Sequence, residues 1–300
     1  MNNSIIFRTL IVLAIGMLSF GLSAQDDEFE ERRDENFVFI DPQGKKGFMF
    51  GLNLGYFLPN DDPAGFYDGT DKGEGFLDLQ EFLQIDRIRT EILEQLGNAS
   101  TFRLAEYASE MRYTNSLAVG AHVRYQFNWY NAIVLDANFI SLKAEDFFVL
   151  AYPNDNGTSQ DIFQNFPIEG QEDRLNFSLG YHLALAEPGS ASMNFEFGPE
   201  ITSINVKSNR FSVGSRSYSI LRAQTIGGNN QLINNQIPTL TYFGAYAQLG
   251  ANLEFDKFTV DVVWRTSFQK IDLNPVLAPK RRLNHTPMAR LVYRLTVKGF

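Results

Sequence analysis

The sequence predicts an all-β protein: an eight-stranded antiparallel up-and-down transmembrane β-barrel with long extracellular loops, the first containing a helix. Three observations lead there. Apolar residues recur at every second position in eight separate stretches, the period of a strand with one apolar face. The connections between stretches alternate short and long, as in a barrel that turns tightly at one membrane face and loops freely at the other. After the N-terminal leader no segment approaches the roughly 18 consecutive apolar residues of a spanning helix, so a crossing must be made by strands.

The first strand is expected at 47–58, where Phe48, Phe50, Leu52, Leu54, Tyr56 and Leu58 alternate with mostly small or polar neighbours. The others are expected at 113–128, 131–149, 173–187, 190–205, 239–255, 257–272 and 286–300. Leu117 to Phe127 and Ile133 to Phe139 carry the second and third, and Leu175 to Leu185 and Met193 to Ile201 the fourth and fifth. Phe243 to Phe255, Phe258 to Phe268 and Leu291 to Val297 carry the last three. Tight connections fall at Trp129-Tyr130, Pro188-Gly189 and Asp256-Lys257; long ones at 59–112, 150–172, 206–238 and 273–285. A soluble sandwich or lipocalin-like barrel also alternates. The regular short–long connections, and large side chains on one face of every strand against Gly, Asn and charge on the other, favour lipid outside and polar lumen inside.

Residues 1–24 read as a secretory signal peptide: Arg8 in the n-region, an apolar run Thr9 to Phe20, and small residues up to Ala24. Residues 25–46 form an acidic N-terminal arm, with DDEFEERRDEN at 26–36. Residues 47–300 are the barrel, with 59–112 as its large outer loop. The chain has no cysteine, which excludes disulfides, thiolate metal sites, a Cys nucleophile and a lipoprotein anchor. A net charge of −9 argues against nucleic-acid binding.

Signal peptide, eight-strand meander and terminal Phe300 together resemble the small outer-membrane barrels of the OmpA/OmpX type. The long outer loops and the export junction Ser23-Ala24-Gln25 resemble barrels of the Bacteroidota. The resemblance covers about 47–300 and rests on pattern rather than on a unique motif. It implies residence in the bacterial outer membrane, contact with its lipid, and insertion by the barrel-assembly machinery, for which a C-terminal aromatic such as Phe300 is the signal. Phe300 matches by residue type but lies off the parity of Leu291, Tyr293, Leu295 and Val297.

Eight charged residues fall on inward faces: Arg124, Arg265, Arg290 and Arg294 against Asp136, Glu196, Glu200 and Asp261. A barrel of eight strands is narrow enough for side chains to fill. The expected arrangement is two ion-pair layers, with Arg124, Asp136, Asp261, Arg294 and Glu196 lower and Glu200, Arg265 and Arg290 higher, and Glu200 paired to Arg265 or Arg290. Such a network reads as a plug; a proton or ion pathway is the alternative. Of the three histidines, His122 and His182 face inward and His285 lies near the last outer loop. None sits with a serine and an acid at the spacing of a triad, and no cluster has metal-ligand spacing. No catalytic residue, metal or cofactor is expected.

In the first loop, Leu79, Phe82, Leu83, Ile85, Ile88, Ile92 and Leu96 recur at helical spacing within 78–97, and Gly97 follows where a helix ends. This helix reads as a lid on the barrel mouth or as a surface for a partner. The functional expectation is a non-enzymatic envelope protein, structural or complex-forming, acting through its outer loops and arm with an envelope protein partner. A narrow solute channel and a barrel enzyme acting on lipid or peptide are the rivals.

Overall fold

A computed structural model of the chain describes residues 46–70, 78–154, 160–185, 191–220, 223–226, 229–232, 239–255, 258–271, 273 and 280–294. The signal peptide, almost all of the acidic arm, the turns at Pro188-Gly189 and Asp256-Lys257, and Phe300 lie outside the described residues.

Eight long strands make the wall: β1 (Gly47–Phe57), β2 (Ser116–Gln126), β3 (Asn131–Pro153), β4 (Asp161–Ala184), β5 (Ala191–Val213), β6 (Thr239–Glu254), β7 (Phe258–Ile271) and β8 (Lys280–Arg294). Each pairs antiparallel with its sequence neighbours, and β8 returns to β1 with Met49 opposite Arg294 and Gly55 opposite Met288. The sheet therefore closes, and closure removes the two edges that an open sheet would expose. Among the described residues no helix is long and apolar enough to cross a membrane.

The outside of the wall carries the apolar alternation. Leu52, Leu117, Leu135, Leu179, Phe197, Leu249, Val262 and Leu291 are all exposed. Along β4 and the residue after it, the band runs from Leu175 to Leu185. Ten residues span about 33 Å along a strand, and a tilt of about 40° reduces this to about 25 Å, the height of a lipid-facing band. Aromatic rings cluster at its short-turn rim, with Phe48 tilted against Tyr125 at 4.8 Å and Phe255 stacked 4.5 Å from Phe258.

Four strands extend past the bounds their sequence pattern suggested, β4 and β5 the furthest. The stretch 150–172, expected as a loop, is mostly strand: β3 runs on to Pro153 and β4 begins at Asp161. β5 continues to Val213 through part of the expected loop 206–238. β8 starts at Lys280 rather than 286. In β3, β4 and β5 the cause is an inversion of the hydrophobic pattern. Below the inversion β4 points Leu175, Phe177 and Leu179 outward and Arg174, Asn176 and Ser178 inward; above it, Phe166 and Ile168 point inward and Asn165, Glu169 and Gln171 outward. β3 does the same, with Asp136 and Asn138 buried below and Ile140, Leu142 and Ala144 buried above. A bulge in β5 opposite Gln171/Glu172 keeps the pairing in step.

The upper walls thus form an apolar cup, which the first loop fills. The loop begins with a short 3-10 helix (Asp62–Tyr67), followed by α1 (Leu79–Leu83) and α2 (Asp86–Gln95). A single helix over 78–97 was expected; the chain breaks at Gln84-Ile85, where Ile85 is extended (φ −62°, ψ 119°). At about 100° per residue, a continuous helix would put Leu79 opposite Ile88 and turn Leu83 about 140° away from Ile88. The break turns both stripes toward one core. Asp78 caps α1 by accepting from the Glu81 N–H at 2.6 Å, and Gly97 (φ 78°) ends the segment.

Candidate functional site

The lumen of the apolar-banded zone is polar and crowded. Asp136, Glu196, Glu200, Asp261, Arg124, Arg265 and Arg290 are all buried. Arg290 on β8 reaches three carboxylates, Glu196 at 3.2 Å, Asp136 at 3.4 Å and Asp261 at 3.6 Å. Arg124 on β2 meets Asp261 at 2.6 Å and Glu196 at 3.5 Å. Arg265 on β7 binds Glu200 and, on the opposite wall, Asp136 at 3.4 Å. Most of these pairs join strands three or four apart around the ring, so the guanidinium groups meet acids across the centre of the bore. Four buried carboxylates face three buried arginines, and each carboxylate meets at least one guanidinium, the pairing that buried charge requires.

Glu200 pairs with Arg265, one of its two expected partners. The two-layer arrangement needs correction. Asp261 and Arg290 are direct cross-strand partners, so Arg290 stands at the height of Asp261, not of Glu200. Position along each strand does not fix height in the bore, because strand tilt staggers neighbouring strands. The result is one connected network, with Asp136 and Glu196 each shared between arginines. Arg294 also needs correction: among the described residues no ion pair joins it to the network. It lies four residues beyond Arg290, across Met49 from Arg124, and lines the short-turn end of the bore.

Sequence reasoning missed the groups that complete the network. His122 Nδ1 lies 2.8 Å from Asp136 and His182 Nδ1 2.8 Å from Glu196. Each pair is a direct cross-strand pair in its own hairpin or its neighbour: His122 opposite Asp136, His182 opposite Glu196. Asn53 donates to Asp136 and Asn138 and accepts from Arg290. Gln248 donates to Glu196 and Gln269 to Glu200. Tyr246 lays its ring across the bore, with the Arg265 guanidinium 3.9 Å from the ring centroid. Glycine makes that possible: a Cβ on Gly180 would lie 1.9 Å from the Tyr246 hydroxyl. The pairing of inward positions across hairpins was the available signal for both histidines.

The lid closes the opposite end of the barrel. Leu79, Phe82, Leu83, Ile88, Ile92 and Leu96 are buried in one cluster with Ile140, Phe148, Phe166, Ile204 and Phe211, and Ile85 packs partly against it. Phe82 meets Phe211 edge-on at 5.5 Å. The lid is pinned by a polar pocket at its base. Glu172 accepts from the Tyr67 hydroxyl at 2.6 Å and the Tyr113 hydroxyl at 3.0 Å, and pairs with Arg174 at 2.6 Å. Burial, reinforced by the Glu172 carboxylate, pushes the Tyr67 and Tyr113 phenols far above their ordinary range. A Cβ on Gly170 would fall 2.0 Å from the Tyr67 ring, so the absence of a side chain there seats the tyrosine. On the rim, Glu91 of α2 pairs with Arg216 at 3.3 Å and Gln95 accepts from the Ser215 N–H at 3.0 Å.

At the short-turn end a small polar vestibule is lined by residues including Arg124, Gln126, Trp129, His182, Asn252, Glu254 and Arg294. Trp129 is buried beneath the wall, and the Gln126 side chain donates to the Asn128 and Trp129 carbonyls. His285, on the outside near the other rim, contacts Thr266 at 3.1 Å. Among the described residues no group of His, Asp and Glu could hold a metal ion.

No family model matches the chain, and no curated protein matches it. Solved structures to which it is similar include the following three. Neisserial surface protein A is 8% identical with a TM-score of 0.39, covering 83% of this chain and 97% of that one. OprG from Pseudomonas aeruginosa is 9% identical at 0.37, covering 84% and 97%. Ail of Yersinia pestis, solved with the heparin analogue sucrose octasulfate, is 11% identical at 0.32, covering 83% and 99%.

Proposed function

We propose that this protein is an integral barrel of the bacterial outer membrane, non-conducting and non-enzymatic, that serves as a structural or complex-forming element of the envelope. The observation that carries the reading is the combination of an exposed apolar band around a closed wall with a bore crossed by ion pairs. An apolar exterior of that height suits hydrocarbon and would be insoluble in water as a monomer. In this orientation the short turns and vestibule face the periplasm and the lid faces outside. The Bacteroidota assignment is part of the same proposal, as are contact with outer-membrane lipid and insertion by the barrel-assembly machinery. An envelope protein partner engages the outer loops or the arm.

The absence of catalysis is proposed from chemistry. Both inward histidines are buried in the bore, and their ring nitrogens face the ion-pair network rather than the exposed apolar band. Two experiments test the reading together. Cell fractionation should place the chain with outer-membrane markers, resistant to carbonate extraction. The purified barrel should leave lipid A, phospholipid and peptide substrates unchanged. Recovery in the soluble fraction, or turnover abolished by His122→Gln or His182→Gln, would overturn it.

A further inference from the structure

The vestibule at the short-turn end contains an arginine that the network does not use. Arg294 is partly buried, its Nε has no hydrogen-bond partner, and among the described residues no carboxylate pairs with it. Arg124, 3% exposed, lines the same cavity and also leaves its Nε without a partner, although its Nη2 is held by Asp261. A buried donor with no acceptor is costly, and a guanidinium presents its donors in a planar fork that matches a carboxylate. His182, Gln126, Asn252, Ser192 and Thr259 supply further polar edges. Glu254 is the anion of the lining, set against the two arginines.

We propose that this vestibule is a carboxylate-binding site, with Arg294 as the principal ligand and Arg124 as the second. Two sources fit the chemistry: a free small carboxylate, or an acidic side chain of this chain's own residues 26–36, which hold seven acids against two arginines. The chain enters the barrel at Gly47, two residues before Met49, which lines the cavity. From Asn36 to Gly47 is a reach of up to about 37 Å, enough for the acidic stretch to arrive at the opening. The site needs no assumption about the protein's role in the envelope.

The test is acetate titration of the refolded mature chain in detergent, following the arginine Nε–H resonances by NMR, with chloride at matched ionic strength as control. Two chains are compared, one intact and one lacking residues 26–36. A saturable shift of the Arg294 resonance in both, with equal affinity, supports the site with a free anion as its ligand. A shift that appears or tightens only when 26–36 is removed supports the site with the arm as its ligand. Arg294→Gln should weaken acetate binding at least tenfold, and Arg294→Lys, which keeps the charge but loses the fork, should recover only part. The proposal is overturned if neither chain shows a saturable shift beyond that of chloride, or if Arg294→Gln binds acetate as the parent does.

Discussion

Replacing Gly170 by valine is expected to open the lid while leaving the barrel closed. A Cβ at that position falls 2.0 Å from Cγ of Tyr67, so the ring must leave its seat. Tyr67 is fully buried, and withdrawing a side chain of that size from a core costs about 1.5–3 kcal/mol. Its hydroxyl also loses a 2.6 Å hydrogen bond to a carboxylate, worth about another 1.5–3 kcal/mol. The sum, about 3–6 kcal/mol, corresponds to roughly 10²–10⁴-fold more frequent lid opening. Hydrogen exchange of the α2 amides (86–95) reads it directly, and trypsin cleavage at the exposed Arg87 reads it independently. Tyr67→Phe should act in the same direction but only about tenfold, because Glu172 keeps Tyr113 and Arg174. Strand amides of 133–139 should keep their protection in both variants. Unchanged exchange of α2 in Gly170→Val would refute the seating argument. Simultaneous loss of protection in lid and strands would refute the claim that the lid opens separately.

Other outcomes follow from the same structure. An epitope inserted at Asp71 should be labelled on intact cells; labelling only after permeabilisation would reverse the orientation. Leu249→Arg and Val262→Arg, both on the exposed band, should each cost about 2–4 kcal/mol on folding into bilayers, and negligible cost at both would move the band elsewhere. Glu200→Gln should destabilise by about 1.5–3 kcal/mol, because Arg265 loses the nearer of its two carboxylates and keeps Asp136, while the double change Glu200→Leu with Arg265→Met should recover most of it. Alkali should loosen the lid: Tyr67 has a raised folded pKa, so its contribution is whole below about pH 10 and falls by about 1.4 kcal/mol per unit above it. Tyrosinate absorbance should therefore show a late, lid-coupled ionisation that Tyr67→Phe removes.

How much of this was legible in the sequence depends on which side of the strand carried the signal. Where the outer face is the apolar one, Leu175, Phe177 and Leu179 mark β4 plainly. Above that level the apolar side chains move to the inner face, and Phe166 and Ile168 alternate in the opposite phase around Pro167 and Gly170. A reading that follows one phase stops at the switch and finds a loop. The lid residues were legible as apolar and helical in spacing, but the angle between Leu83 and Ile88 held the evidence for two helices rather than one. Among the charges, alternation alone placed Arg124, Asp136, Glu196, Glu200, Asp261, Arg265 and Arg290 in the bore. Their partners depended on shear between strands, which no local pattern records. His122 with Asp136 and His182 with Glu196 share one spacing of fourteen residues across a hairpin, a regularity present in the sequence but meaningful only once the register is known.

Planar-bilayer recording of the purified wild-type barrel tests the account's central claim most directly. Arg290 meets Asp136, Glu196 and Asp261 across the bore, Tyr246 lies over Gly180, and the lid fills the cup above them. The account predicts a silent bilayer for the wild type, and silence again for Gly170→Val, because the ion-pair network remains beneath an opened lid. Steady, sizeable conductance through the wild-type barrel would contradict it.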